Sequence, residues 1–240
     1  MIDFINAIQK SLKTNTFKTA IIIGNGKSTK LLYDYGFDKI PKNIDTYCTS
    51  LAFRFCEDLN YDPTYYVFAD PKSVQYQEKN LTNYINKSKT QTVYLCYNND
   101  KMFKSCSRNK IVKIKHNASG PPALEIAIQK NYDRILIIGL DHNYTWIKKH
   151  VTMLNDENKA QYKYDVVNHP SYFYPYYLKK GDIVSWDMSA KDNEQKYLHC
   201  RFTQELIDKA SKKNIEIIDF GDNLLKNVKK HNVISDYLNV

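Results

Sequence analysis

Seven glycines and seven prolines among 240 residues leave no room for a low-complexity linker. Long apolar runs are missing as well. The two that stand out, Ile21–Ile23 and Ile135–Leu140, fall far short of the roughly 20 residues that cross a bilayer. The cysteines number five, an odd count with no Cys-x-x-Cys, which signals neither a disulfide framework nor a zinc site. The opening MIDFINAIQK carries an acid early and lacks the basic start and apolar core of a secretory signal. Reduced thiols and such a start fit a cytoplasmic protein. There is no arginine-rich arm, zinc finger or RNA-binding aromatic motif, so nucleic acid is not expected as a partner.

What is present is an ordinary globular balance, 42% hydrophobic and 25% charged, which excludes a disordered chain, a collagen-like chain and a coiled-coil rod. Thirty-five basic residues against 26 acidic ones give a net charge of +9. That excess raises the local concentration of anionic partners: nucleotide phosphates, acidic sugars or the inner face of a membrane. The lysines are dispersed, so solvated faces account for them equally well.

Short β-branched runs alternate with helical patterns along the whole chain. The strands are expected at Thr19–Ile23, Ile44–Thr49, Thr64–Ala69, Gln91–Tyr97, Ile111–Lys115, Arg134–Leu140 and Ile215–Phe220. Several are apolar continuously rather than alternately, as when helices cover both faces of a parallel sheet. Helices are expected at Pro121–Gln129 and Arg201–Lys213, with Leu124, Ala127 and Ile128 on one face of the first. The fold class is therefore α/β, an open, mostly parallel twisted sheet flanked by helices, in a single domain over 1–240. Residues 142–192 break the rhythm. They hold tyrosines 162, 164, 172, 174, 176 and 177 in about 50 residues without a clean period, which reads as a tyrosine-rich lid or as an irregular satellite core.

Four segments could carry chemistry. Gly24-Asn25-Gly26-Lys27-Ser28 turns from a strand toward a helix, where glycines admit a phosphate and free N–H groups favour an anion. Asp70-Pro71 ends a strand with a carboxylate that could bind a ribose or base, or cap the next helix. Ser119-Gly120 opens a second helix, and the strand after it ends in Asp141-His142-Asn143-Tyr144. In the lid, Asn168-His169-Pro170 sits among aromatics beside Tyr172, a setting that tunes an imidazole. Either His169 or His142 could act as acid or base, and either could be merely structural.

The ordered set resembles a known family. The opening GNGKS is similar to the GNGPS motif of bacterial sialyltransferases that decorate lipooligosaccharide and capsule. A closer resemblance is to the family joining archaeal 6-hydroxymethylpterin diphosphokinase-like proteins with motility-associated flagellin glycosyltransferases. There strand-Asp-Pro, Ser-Gly, Gly-x-Asp-His-Asn-Tyr and a lid with Asn-His recur in this order. Lys27 and Thr29 flank Ser28 where the sialyltransferases carry proline and leucine, and His116 stands where an arginine is common. The resemblance spans residues 19 to 225 and implies a Rossmann-like, nucleotide-binding fold. By similarity Gly24, Asn25, Gly26, Ser28 and Thr49 would line the nucleotide, with Asp70 near it. Ser119 and Gly120 would face the donor sugar, and Asp141, Asn143 and Tyr144 the cytidine side. Tyr172 and its neighbours would hold the leaving phosphate, and a lid histidine would deprotonate the acceptor.

The expected function is a glycosyltransferase using a nucleotide-activated donor, CMP-linked and acidic, and a glycan or glycoconjugate acceptor. The mechanism is metal-independent direct displacement with a histidine base, since Asp70 and Asp141 are isolated and no Asp-x-Asp motif is evident. One alternative is a diphosphokinase moving pyrophosphate from ATP to a hydroxymethylpterin-type alcohol. It needs Mg²⁺, held by Asp70 with Asp141 if the fold brings them together. Another is a non-catalytic nucleotide- or glycan-binding module.

Overall fold

The computed structural model describes residues 17–97, 101–106, 110–116, 118–142, 150–154, 159–185, 194–221, 223, 225–226 and 228–238. The chain opens with β1 (Thr19–Ile23), then α1 (Lys30–Tyr35), β2 (Asp45–Thr49), α2 (Phe53–Asp58) and β3 (Tyr65–Phe68). Next come α3 (Pro71–Tyr76), α4 (Glu78–Lys87), β4 (Thr92–Leu95), β5 (Ile111–Lys113), α5 (Gly120–Gln129) and β6 (Arg134–Ile138). The segment read from sequence as a lid or satellite core supplies β7 (Val151–Leu154), β8 (Lys159–Tyr162) and β9 (Ile183–Ser185). The chain closes with α6 (Glu194–Lys212), β10 (Glu216–Asp219), β11 (Lys229–Lys230) and α7 (Ser235–Leu238).

Eight strands form one sheet in the order β11-β10-β6-β1-β2-β3-β4-β5, and every neighbouring pair is parallel. This is the open α/β sheet expected from the sequence. The continuous apolar runs have a direct explanation in the pleat. Ile21, Ile23, Leu136 and Ile138 point to one face with Leu32, Phe55 and Ile85. Ala20, Ile22, Ile135 and Ile137 point to the other, against Leu124 and Ala127 of α5 and Leu206, Ile207 and Ala210 of α6. Both faces are covered, so a strand gains nothing from alternating with polar residues.

The lid departs from its aperiodic reading. It carries a three-stranded antiparallel sheet, β7-β8-β9, and an isolated bridge between Val166 and Leu178. Strands of three or four residues are too short to display a period. Tyr162, Val166, Tyr174, Tyr177 and Leu178 join the same apolar cluster as β1 and α2, whereas Tyr164 and Tyr176 are exposed. The segment is also pinned by charge. Arg54 of α2 is buried and forks onto Asp182 at 2.6 and 2.7 Å, and it donates to the Tyr177 carbonyl. Gln77 Nε2 and the Lys179 N–H also donate to Asp182, at 3.0 and 2.7 Å. Among the described residues no helix is long and apolar enough to cross a membrane.

Candidate functional site

After β1 the chain moves outward through β2 to β5, then returns so that β6 lies on the other side of β1. The loops leaving β1 and β6 therefore diverge at the carboxyl edge of the sheet, the place where open α/β sheets bind ligands. Here the two loops begin in contact. Gly24 N–H donates to the Ile138 carbonyl at 2.8 Å and Gly26 N–H to the Gly139 carbonyl at 2.9 Å. A Cβ on Gly24 would overlap the Gly139 carbonyl, and one on Gly26 would lie 2.7 Å from the Asp141 carboxyl carbon. The glycines thus admit the facing loop, a role that the phosphate-cradle reading did not contain. Gly120 does similar work: a Cβ there would meet Leu140 Cδ2 at 2.8 Å.

Asp141 fills the expected anion position with the protein's own carboxylate. Its Oδ2 accepts the Ser28 N–H at 2.9 Å and its Oδ1 the Ser28 hydroxyl, while that hydroxyl accepts the Gly139 N–H at 2.7 Å. Burial pushes the Asp141 carboxyl above its ordinary range, the Ser28 hydrogen bonds oppose the rise, and nearby Asp219 adds to it. Asp219 is buried at the end of β10, paired with Lys230 and accepting the Gly221 N–H at 2.9 Å. Lys230 Nζ also donates to the Gly221 carbonyl at 3.1 Å and to Asn223 Oδ1 at 2.6 Å, and Asn223 Nδ2 to the Leu140 carbonyl at 3.2 Å. The sequence reading missed Asp219, Asn223 and Lys230. A signal for Asp219 was there: Ile217-Ile218-Asp219 ends an apolar strand in a carboxylate, as the Asp70 and Asp141 segments do.

Asn25 is buried, its Nδ2 donates to the Thr49 carbonyl at 2.9 Å, and its Oδ1 has no partner among the described residues. Thr49 in turn donates its hydroxyl to the Ile23 carbonyl at 3.3 Å. Ser119 Oγ accepts the Ala69 N–H at 3.0 Å, so it ties α5 to the end of β3. Asp70 takes the capping role: it accepts Lys72 N–H at 3.0 Å, Ser73 N–H at 3.3 Å and the Ser73 hydroxyl at 2.6 Å. It does not meet Asp141. β1 and β2 lie between β3 and β6, a lateral separation of about 14 Å at normal strand spacing. The carboxylate pair considered for Mg²⁺ is therefore not assembled from these two residues. Among the described residues no group of three His, Cys, Asp or Glu side chains is placed to hold a metal. Asn143 and Tyr144 lie outside the described residues.

The two histidines sit in different surroundings. His142 follows β6 with φ +52°, is buried, and has no partner at either ring nitrogen among the described residues. Burial pushes its imidazole down to about 4, helped by His199 and Lys230. His169 is 3% exposed; its Nδ1 accepts the Ser171 N–H at 3.1 Å and its Nε2 has no partner among the described residues. Burial likewise pushes it down to about 4, with His150 and Lys27 adding. Tyr172 lies over the ring at 4.9 Å between centroids, and Tyr177 lies 4.1 Å beyond Tyr172.

A stability prediction follows from these two rings. Each stays neutral in the folded chain down to about pH 4, whereas an unfolded histidine takes up a proton near 6.5. Between those values the unfolded state binds more protons, so stability rises with pH through this window and is lost on acidification. The urea midpoint should climb from pH 4 to 6.5 and then level, and His142→Leu should remove one proton's share of the climb.

Orphaned polar atoms collect at this edge of the sheet. Asn25 after β1, His116 after β5, His142 after β6 and His169 in the lid each bury a polar atom without a partner among the described residues. Ser88, another such residue, lies before β4 at the opposite edge. A buried donor or acceptor without a partner costs about 1–3 kcal/mol. His116 lies five strands from β6, so it is apart from the others; the unpartnered atoms of Asn25, His142 and His169 suit positions that a polar ligand completes.

No protein-family model matches the chain, and no curated protein matches it. Among solved structures, a MAf glycosyltransferase from Magnetospirillum magneticum AMB-1 is similar, with a TM-score of 0.50 and 11% identity over 91% of this chain. The chain spans about a third of that protein, 34% of its length. At this identity the likeness is one of fold, and it agrees with the Rossmann-like α/β sheet.

Proposed function

We propose that the chain is a glycosyltransferase that moves a sugar from a nucleotide-activated donor, CMP-linked and acidic, to an acceptor hydroxyl. The observation that carries the reading is the set of unpartnered polar atoms on Asn25, His142 and His169 around the carboxyl edge of the sheet. The fold likeness to a protein described as a glycosyltransferase is consistent with it. The reaction is a direct displacement without a metal. The acceptor oxygen forms a bond to the anomeric carbon as the bond to the nucleotide phosphate breaks, and the electron pair leaves with the phosphate. A histidine takes the acceptor proton. Burial keeps His142 and His169 neutral at ordinary pH, so a neutral imidazole is available for proton transfer. The excess of basic residues draws an acidic donor, and it also suits an anionic glycan acceptor at the inner face of a membrane.

A thermal-shift screen with CMP, CDP, UDP, GDP and ATP, each with and without Mg²⁺, tests the proposal. CMP or CDP at about 100 times its Kd should stabilise the chain by about 2.7 kcal/mol, a rise of about 5–10 °C, without metal. Stabilisation by ATP alone, and only with Mg²⁺, would replace this reading by the diphosphokinase. Binding of CMP without transfer to any glycan acceptor would leave a binding module.

A further inference from the structure

The lid fixes where the proton of His169 resides. The Ser171 backbone N–H points at His169 Nδ1 over 3.1 Å, two residues along through Pro170. A backbone amide can only donate, so Nδ1 must present its lone pair. A neutral imidazole has one proton, and here it lies on Nε2. That Nε2–H is buried and meets no acceptor among the described residues, in a ring that is 3% exposed.

The surroundings favour negative charge at that position. Lys27, in the turn between β1 and α1, is close enough to His169 to disfavour a charged ring. The Phe173 N–H donates to the Asn25 carbonyl at 3.2 Å, which ties the lid to the same turn. Tyr172 covers the imidazole, so the ring has a fixed orientation. His150, like Lys27, opposes protonation of the ring. A buried donor left without an acceptor burdens the empty protein, and an arriving anionic oxygen relieves it.

We propose that His169 is a fixed neutral hydrogen-bond donor whose Nε2–H, beside Lys27, receives an anionic phosphate oxygen, and that it is not the base. This rests on the nucleotide-donor reading and refines it. When the anomeric C–O bond breaks, the electron pair goes to the departing phosphate oxygen. Nε2–H donates to the phosphate throughout and keeps its proton. The acceptor proton goes to His142, where neither ring nitrogen is engaged by another described group.

Nitrogen-15 NMR of the full-length protein labelled at histidine reads the tautomer directly. The expected spectrum has a protonated Nε2 and a bare Nδ1 on His169 from pH 5 to 8. Inorganic phosphate and CMP should each move the Nε2 resonance without adding a second proton. His169→Gln keeps an N–H close to the Nε2 position but offers no base. It should weaken CMP binding by no more than about fivefold and keep at least about a tenth of the transfer, while His169→Leu weakens binding by about 10- to 100-fold. A proton on Nδ1, a titration near 6.5, or a Gln variant as inactive in transfer as the Leu variant overturns the proposal. The two readings fail separately. If the Nε2 resonance answers phosphate while no nucleotide stabilises the chain, the anion site stands and the glycosyltransferase reading falls. If CMP stabilises the chain while His169 carries its proton on Nδ1, the reverse holds. The spectrum of the unaltered protein decides the tautomer even if the Leu variant does not fold.

Discussion

Gly139→Ala is expected to lower the melting temperature by about 10 °C. Two effects add at this position. Gly139 has φ +74°, a conformation that costs a side-chain-bearing residue about 1–2 kcal/mol. Its new Cβ would overlap the Thr29 hydroxyl and lie 2.7 Å from the Gly24 carbonyl carbon. Gly24 is backbone in contact with backbone, and Thr29 is fully buried with its hydroxyl bonded to the Gly24 carbonyl at 3.1 Å, so neither can step aside cheaply. Relief would require separating the loops after β1 and β6, at a further cost of about 1–3 kcal/mol. The sum, about 2–5 kcal/mol, converts at its midpoint to about 10 °C for a chain of this size. Gly181→Ala is the control, because Gly181 has φ +86° but nothing lies within 4 Å of its Cβ position. It should lose only the conformational part, about 4 °C. Equal losses in the two variants, measured by circular dichroism, would contradict the close approach of the loops.

Arg54→Met should release the lid while leaving the main sheet folded. The guanidinium is the cation paired with the buried Asp182 carboxylate, and losing it costs about 3–5 kcal/mol because the carboxylate stays buried. Gln77 and the Lys179 N–H remain as neutral donors, which soften the loss without replacing the charge. The segment responds because Asp182 closes it: the Tyr162 N–H donates to the Asp182 carbonyl at 2.9 Å and the Gly181 N–H to the Tyr162 carbonyl at 2.9 Å. Amide exchange should speed up at Tyr162 and Val166 by about two orders of magnitude, and trypsin should cut at exposed Lys179 and Lys180. Amides of β1 and β6 should keep their protection. The double variant Arg54→Met, Asp182→Leu should recover part of the stability, since no charge is left unpaired although Gln77 Nε2 and the Lys179 N–H lose their acceptor. Unchanged exchange in the single variant would mean that apolar packing alone holds the lid.

Such an anchor is hard to read from sequence. Arg54 lies in Phe53-Arg54-Phe55-Cys56, where a charged residue in a helix is ordinarily a solvated one. Its partner is 128 residues away. The strands of residues 150–185 were hidden for a related reason, since three or four residues are too few to show a period. β11 was equally silent: two lysines at a sheet edge carry no apolar signal. The residue types at the candidate site were legible, because a carboxylate or glycine at a strand's end stands out against the apolar run before it. Their duties were not. Asp70 and Asp141 look alike in sequence, yet one caps α3 and the other bonds Ser28 across the switch between β1 and β6.

The amino-acid order decides what is local here. Continuous β-branched runs specify strands buried on both faces, and Leu124, Ala127 and Ile128 specify the buried side of α5, because periods of two and 3.6 act over neighbouring residues. Strand order, the loop contact that requires Gly24 and Gly139, the Arg54–Asp182 and Lys230–Asp219 pairs, and the burial of Asn25 and His142 atoms without partners among the described residues belong to the tertiary structure. These join residues from 11 to more than a hundred positions apart. Such contacts form only when both faces of the sheet are covered at once, so no local stretch encodes them alone.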